Sequence, residues 1–323
     1  MSSTPFGLLQ FSEQYFERIW GGQRLNTLFQ KPIPGDKPIG EAWLISDHPS
    51  AVSVVRKGPH AGRTLHDLIE EDADALIGSR SKLTPHGRFP LLLKLLDSTD
   101  VLSVQVHPDD DTAAALGEPD VGKTEMWHIL HADPGAELFC GLEPGTTSVA
   151  MKSAIEHGAL EQHLTRFKVV PGDSVFVAAG TVHAIGAGIV LAEIQQNSDL
   201  TYRLYDWNRV DTSGKARELH IEKGLRATRF DCQPVLKGED RPKQGLIELA
   251  ASKYFEAHRF EEQAPRQFST NGRFIIVLAV GKHATVSIET EQVRLQCGEC
   301  CLIPACISAF TLDSNGPSLI YAA

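Results

Sequence analysis

Short segments in which apolar and polar residues alternate, separated by glycine and proline, run through most of the 323 residues. A period of two is the pattern of β-strands, and many short strands joined by turn residues predict a sandwich or barrel. The chain is therefore predicted to be mainly β. The predicted strands cover 41–45, 52–55, 91–96, 101–107, 125–131, 137–140, 174–177 and 189–195, and then 246–250, 254–260, 274–280, 284–288, 292–295, 301–304 and 308–312.

Two segments have helical spacing instead. Segment 64–78 opens with Thr64, a capping residue, places Asp67 three residues later and closes on Gly78. Segment 147–167 carries apolar residues close to a helical period. Both are predicted to be helical insertions on a β scaffold, within about 58–86 and 147–168. Segment 109–122, rich in Asp, Gly and Pro, is predicted to be a loop.

A charged, poorly periodic stretch at 234–245 is interpreted as a linker. It divides the chain into a predicted N-terminal domain, 1–235, and a C-terminal β domain, 246–323. The two parts contain a weak repeat, because 172–183 aligns with 298–309: each has a glycine, an acid, a strand and a small-residue turn. His183 in the first copy corresponds to Ala309 in the second. We therefore expect two similar β units, of which only the first binds metal.

The formal charge of −10 and the pI near 5.7 argue against a nucleic-acid or anionic-membrane surface. No apolar run reaches the roughly 20 residues of a membrane helix, and the N-terminus lacks a secretory signal pattern. A cytoplasmic location is expected. Four of the six cysteines lie in the last 27 residues and include Cys297-Gly298-Glu299-Cys300. Because no second pair accompanies this motif, the cysteines are expected to pack as small apolar residues.

The alternation in 101–107 predicts a strand with Ser103, Gln105 and His107 on one face. The same alternation in 122–127 places Lys123 and Glu125 together. With His183, these segments offer two imidazoles, a carboxylate and an amide oxygen, which suit a divalent cation such as zinc. The predicted metal ligands are Gln105, His107, Glu125 and His183. His128 has the opposite strand parity and is expected to be structural, and Trp20 and Trp127 are expected to pack.

The segment from Gly172 to His183 resembles the second sequence motif of the cupin superfamily, with Ala178 at the usual proline position. Three further segments, 105–110, 122–125 and 193–199, make the resemblance more specific. Together they resemble the type I phosphomannose isomerases in their short bacterial form. The similarity extends from Trp20 to Asp206 and continues more faintly into the second β unit. It implies two cupin-like jelly-roll units, one zinc ion per chain, and aldose–ketose isomerisation of mannose 6-phosphate to fructose 6-phosphate through a cis-enediol.

The resemblance also implies roles for individual residues. Lys123 and Glu193 are rival candidates for moving the substrate proton, and a nearby metal cation is expected to lower the pKa of Lys123. Arg203 is expected to stabilise an oxyanion or orient the substrate. Arg209 matches a basic phosphate contact of the family.

Two further residues are predicted to line the substrate pocket. Ser103 could donate its hydroxyl to the phosphate. Lys94 lies inside an apolar run, where a charge is costly unless it lines a polar pocket or pairs with an acid. A pocket position is the preferred interpretation of Lys94, and a buried salt bridge is its alternative.

Two alternative functions remain open at this level. One is a cupin isomerase or epimerase for another sugar, and the other is a sugar-binding cupin without turnover. The joint presence of Lys123, Glu125, Glu193, Arg203 and Arg209 favours catalysis. Cobalt and manganese are alternatives to zinc. A phosphosugar is the expected partner, and no obligate protein partner, nucleic acid or membrane is expected.

Overall fold

The computed structural model describes residues 5–210, 214–232, 234–238 and 244–323. As predicted, the chain is mainly β, and its strand pairings are antiparallel. The strands of the first unit are β1 (Phe11–Ser12), β2 (Gln14–Gly22), β3 (Ile39–Ile45), β4 (Asp47–His48), β5 (Ala51–Val52), β6 (Val54–Val55), β7 (Leu91–Ser98), β8 (Val104–Val106), β9 (Glu125–Ala132), β10 (Glu137–Leu142), β11 (Leu164–Lys168), β12 (Ser174–Val177), β13 (His183–Ile185), β14 (Ile189–Gln196), β15 (Tyr202–Tyr205) and β16 (Val235–Lys237).

Two sheets of the first unit pack face to face. A seven-stranded sheet has the order β16-β12-β9-β14-β7-β3-β2, and a five-stranded sheet has the order β11-β10-β13-β8-β15. Trp127 and Val175 from the larger sheet share a buried cluster with Leu138 and Ile185 from the smaller one. Strands β7 and β14 are buried along their whole length, and each has five apolar residues in eight. Their buried polar residues include Lys94 and Glu193.

The helices are short and connect or cover the sheets. They are α1 (Arg24–Phe29), α2 (Leu65–Ile77), α3 (Asp110–Ala115), α4 (Ser148–Glu156) and α5 (Ile221–Ala227), with a 3₁₀ turn at Leu160–His163. The predicted helix over 64–78 is confirmed as α2, and Thr64 and Asp67 form its capping box.

Two local predictions were wrong. The helix predicted over 147–167 ends at Glu156, because Gly158 adopts φ 66° and the chain then forms β11, which pairs with β10. Segment 109–122 is not entirely loop. Asp109 accepts a hydrogen bond from the backbone N–H of Thr112 at 2.8 Å and starts α3.

The second unit is a smaller pair of sheets. Its strands are β17 (Gly245–Ala251), β18 (Glu256–Glu261), β19 (Arg266–Ser269), β20 (Ile275–Ala279), β21 (His283–Ser287), β22 (Gln292–Gln296), β23 (Cys300–Ile303), β24 (Ala309–Asn315) and β25 (Ser318–Ala322). They form sheets ordered β17-β18-β25-β20-β23 and β19-β24-β21-β22. The aligned repeat segments fold alike. Each forms a strand, β12 or β23, and then a turn that leads into the next strand, which begins at His183 in β13 and at Ala309 in β24.

The two units share one apolar core. Leu93 and Met126 of the seven-stranded sheet belong to the same buried cluster as Phe274 and Tyr321 of the second unit. A backbone bridge also joins Leu9 to Leu302, with N–H to O distances of 2.9 Å in both directions.

The predicted domain boundary at 235–246 stays a prediction. Val235–Lys237 pairs with β12 of the first unit, and residues 239–243 of the predicted linker lie outside the described residues. Within the described ranges, no helix is long and apolar enough to span a membrane. All six cysteines are free thiols.

Candidate metal centre and active site

Strand β8 positions Gln105 and His107. Val104 and Val106 are fully buried in a cluster with Leu204 and Ala184. Because these two valines lie on one face of the strand, Gln105 and His107 are directed to the other face. The predicted strand parity is thus confirmed, although the strand itself is shorter than 101–107.

A tight turn brings His183 beside Gln105. Gly180 has φ 88°, a region that glycine enters without steric cost, and its N–H donates to the carbonyl of His107 at 2.7 Å. The chain then enters β13, where His183 pairs in register with Gln105. The Nε2 atoms of the two side chains are 3.2 Å apart. Residues 78 positions apart in the sequence therefore meet across two neighbouring strands.

Glu125 completes a buried cluster with the two histidines. Its Oε2 lies 3.6 Å from Nε2 of His107, and its Oε1 lies 3.5 Å from Nε2 of His183. Two ligands about 2.1 Å from a tetrahedral zinc ion are about 3.4 Å apart, so these separations fit zinc. Oε1 of Glu125 is buried and accepts no hydrogen bond from the described residues. A buried carboxylate oxygen without a donor is expected where the oxygen binds a cation.

Both histidines present Nε2 to this cluster. Nδ1 of His107 donates to the carbonyl of Leu200 at 2.8 Å, and Nδ1 of His183 donates to the carbonyl of Thr181 at 2.9 Å. A carbonyl can only accept, so the proton lies on Nδ1 and the lone pair on Nε2. Burial lowers the pKa of both rings, that of His183 to about 4. Each is therefore the neutral imidazole that binds metal. Gln105 can bind a cation through its amide oxygen.

Lys123 lies directly before β9 and against the cluster. Its Nζ is 2.8 Å from Oε2 of Glu125 and 3.1 Å from Nε2 of His107. Burial disfavours the ammonium form, but the charges of Glu125 and Glu193 outweigh burial and raise the pKa of Lys123. The protein groups alone therefore keep Lys123 in its ammonium form. A bound metal cation is expected to shift its pKa in the opposite direction, downwards.

Glu193 lies on β14 next to Lys94 and Trp127. The indole Nε1 of Trp127 donates to Oε2 of Glu193 at 3.0 Å, and Nζ of Lys94 is 3.6 Å from Oε1. Burial raises the pKa of Glu193. Both interpretations of Lys94 hold, because it lines the cavity and also pairs with an acid. Trp127 does more than pack, since it orients a predicted catalytic carboxylate.

The predicted substrate contacts separate into two groups. Arg203 on β15 donates through Nε to Oγ of Ser103 at 3.3 Å, and both line the cavity beside the cluster. Arg209, in contrast, does not line the described cavity wall. Its guanidinium donates to Asp100 at 3.2 Å, to the carbonyl of Val101 at 2.6 Å and to Asp206 at 2.6 Å. Arg209 is thus connected to the cavity wall indirectly, through Asp206 and Arg217.

A polar cavity of about 450 Å³ joins these groups. Six of the predicted residues line it, namely Lys94, Ser103, Gln105, Lys123, Glu193 and Arg203. The wall also carries residues to which sequence reasoning gave no site role: Arg18, Trp20, Glu41, Asp199, Thr201 and Arg217. Trp20 was expected only to pack. Glu41 had a detectable signal, since it is a carboxylate inside the apolar strand β3, as Lys94 is a cation inside β7.

Glu41 is a second buried carboxylate on the cavity wall. Arg18 donates to both of its oxygens, at 3.0 and 3.1 Å, and Nε1 of Trp43 donates at 2.8 Å. Burial would raise the pKa of Glu41, but Lys94 and Arg18 lower it to about 2. Lys94 also lies over the Trp43 ring, 4.8 Å from its centroid.

The layered antiparallel fold and the His–Glu–His cluster define a cupin-type metalloenzyme with a polar cavity beside its metal centre. Residues 8–123 match the family model "Phosphomannose isomerase type I, catalytic domain", and residues 247–321 match "Mannose-6-phosphate isomerase, cupin domain". The chain belongs to the type I phosphomannose isomerases, a family of zinc-dependent aldose–ketose isomerases.

Individual relatives agree over nearly the full length. The mannose-6-phosphate isomerase of Streptococcus mutans is 35% identical over 309 residues, which are 95% of each chain. The mannose-6-phosphate isomerase ManA of Bacillus subtilis is 35% identical over 326 residues, 99% of each chain. The crystal structure of a mannose 6-phosphate isomerase from B. subtilis superposes with a TM-score of 0.87 at 32% identity, covering 98% of this chain and 99% of that one.

Proposed function

We propose that this chain interconverts mannose 6-phosphate and fructose 6-phosphate through a cis-enediol. The proton on C2 of the open-chain aldose is removed and a proton is returned to C1, while another moves from O2 to O1. The carbonyl thereby migrates from C1 to C2 with no external oxidant. The observation that carries the proposal is the placement of Lys123 and Glu193 beside the His107–Glu125–His183 cluster, on one cavity with Arg203.

One zinc ion per chain would be held by Gln105, His107, Glu125 and His183. When bound, it supplies Lewis-acid stabilisation of the charge that develops on the substrate oxygens. The separations within the cluster and the unbonded Oε1 of Glu125 support this assignment.

The proton transfer is assigned to Lys123, with Glu193 as its rival. Both are buried, and both line the cavity. An ammonium and a carboxylate on one wall can donate and accept protons in turn, as an isomerisation requires. Trp127 holds the Glu193 carboxylate in place through its indole hydrogen bond. Arg203 is positioned to balance negative charge on the bound substrate.

Ser103, Lys94 and Arg203 are the proposed direct contacts of the substrate and its phosphate, and Arg209 is proposed to support phosphate binding from outside the cavity wall. Ser103 and Gln105 are two residues apart on one strand face, or about 7 Å. That spacing matches a hexose with its reacting carbons at the metal and its phosphate beyond Ser103. The proposal also places the enzyme in the cytoplasm without an obligate protein partner, and its six free thiols support a reducing compartment.

A coupled assay tests the proposal. Fructose 6-phosphate formed from mannose 6-phosphate is measured with zinc-replete protein, after chelation and after zinc is added back. Activity that disappears and returns supports both the substrate and the metal. Activity that survives complete metal removal contradicts the metal assignment. Zinc-replete protein without activity contradicts the substrate and directs the search to other sugars or to binding without turnover.

A further inference from the structure

The cations on the cavity wall differ in how their charge is balanced. Arg18 pairs with Glu41, Lys94 with Glu193, and Lys123 with Glu125. Arg203 differs from these three. Among the described residues it forms no ion pair with a carboxylate, and its donors go to Oγ of Ser103 and the backbone carbonyl of Glu218. Positive charge is therefore least compensated around Arg203.

Arg217 is the second cation at this end of the cavity. Its Nε donates to Oδ2 of Asp206 at 2.7 Å, and its Nη2 also contacts Asp206. The same carboxylate accepts from Nη2 of Arg209 at 2.6 Å. Asp206 is buried and serves two guanidiniums, so it cannot neutralise both. Arg209 has a further partner in Asp100, on the exposed side.

The two arginines that share Asp206 differ in their access to the cavity. Arg217 is on the wall, and in the described part of the chain nothing accepts a hydrogen bond from its Nη1. The guanidinium of Arg209 instead donates its hydrogen bonds to Asp100, Val101 and Asp206. Arg203 and Arg217 line the same cavity, and burial, followed by repulsion from Arg217, lowers the pKa of Arg203. An anion between them would relieve that repulsion.

We infer that Arg217 binds the substrate phosphate directly, together with Arg203 and Ser103, and that Arg209 is a positioning residue that fixes Arg217 through Asp206. This inference rests on the proposed function, because the phosphate is that of the proposed substrate. Two guanidiniums and a hydroxyl give a dianion several charge-assisted hydrogen bonds.

The test compares Arg217→Ala, Arg217→Lys and Arg209→Ala in zinc-replete full-length protein. The readouts are kcat, KM for mannose 6-phosphate, the inhibition constant of inorganic phosphate, and zinc content. Losing a direct charge-assisted contact is expected to raise KM and the phosphate inhibition constant of Arg217→Ala by about 10- to 100-fold, with kcat within a few-fold and zinc unchanged. Arg217→Lys should recover part of the loss. Arg209→Ala should show a smaller rise.

Arg266→Ala is the matched control, since Arg266 is an exposed arginine on β19 of the second unit. It should behave as wild type. Unchanged phosphate inhibition in Arg217→Ala, or a larger effect in Arg209→Ala, would overturn the inference. Wild-type protein that is inactive on mannose 6-phosphate would instead contradict the proposed function, so the two failures are distinguishable.

Discussion

The indole Nε1 of Trp127 donates a 3.0 Å hydrogen bond to Oε2 of Glu193 across the neighbouring strands β9 and β14. Removing it while keeping an aromatic side chain should release the carboxylate from its orientation. Trp127→Phe is expected to lower kcat about 10-fold with little change in KM, because the lost hydrogen bond orients Glu193, a proposed proton-transfer group, and does not bind the substrate. Steady-state kinetics in the coupled assay check this. A near-normal kcat would show that packing alone holds Glu193.

The proton carrier can be identified by paired substitutions. Lys123→Met is expected to lower kcat by about 10² to 10⁴-fold while KM changes only a few-fold, as removal of a general acid–base group does. Glu193→Gln is the matched comparison. An effect of Lys123→Met confined to KM would assign the proton transfer to Glu193. Zinc content is measured in both variants, because Lys123 also contacts His107 and Glu125.

The metal ligands should differ in their contribution. His107→Ala and His183→Ala each remove an imidazole whose tautomer is fixed by a backbone carbonyl, and each should lower bound zinc and activity by on the order of 10²-fold or more. Gln105→Ala removes the proposed amide ligand, which is weaker than an imidazole, and should have a smaller effect. Zinc per chain, measured by elemental analysis alongside activity, checks the ranking. His131→Ala, outside the cluster, is the control; full zinc binding in His183→Ala would refute the site.

Glu41 should make stability depend on pH. Its pKa of about 2 lies below the ordinary value of 4.5, so its contribution is fully present above pH 4.5 and is lost as the pH falls towards 2. The shift in pKa corresponds to roughly 3 kcal/mol of stability. Glu41→Gln should therefore be less stable than wild type at pH 7, and the gap should narrow between pH 4.5 and 2.

Urea unfolding of metal-free protein at several pH values measures this gap. Glu17→Gln, which removes an exposed carboxylate on the adjacent strand β2, is the control. A gap between Glu41→Gln and wild type that stays constant with pH would show that lost packing, not charge, accounts for the difference.

The face of β8 on which each side chain lies could be predicted from the sequence, because this alternation depends only on neighbouring residues. The buried positions of Val104 and Val106 determine where Gln105 and His107 point, whatever the rest of the fold does. Their meeting with His183 depends on the register between β8 and β13, which no local pattern encodes. The donor types alone suggested that these segments form one metal site, and the resemblance to a known family supported that grouping independently.

The errors also have physical causes. Apolar spacing over 147–167 fits a helix, but Gly158 and the pairing of β11 with β10 end it, because tertiary pairing overrides a local period. Arg217 lies in a charged, aperiodic segment, so its position on the cavity wall follows only from the fold around Asp206. A site role for Glu41 could have been predicted from the sequence, because a carboxylate within the apolar strand β3 is costly unless it is paired or lines a polar cavity.

The backbone bridge between Leu9 and Leu302 constrains the order in which the protein can be completed during synthesis. The ribosome delivers residue 9 early, yet its pairing partner emerges almost 300 residues later. Several side chains of the seven-stranded sheet likewise become buried only when Phe274 and Tyr321 have been synthesised and pack against them. Until then the nascent catalytic unit exposes apolar surface and an unpaired segment of backbone, which is a state that molecular chaperones recognise. The second unit thus acts as the final closure of the first.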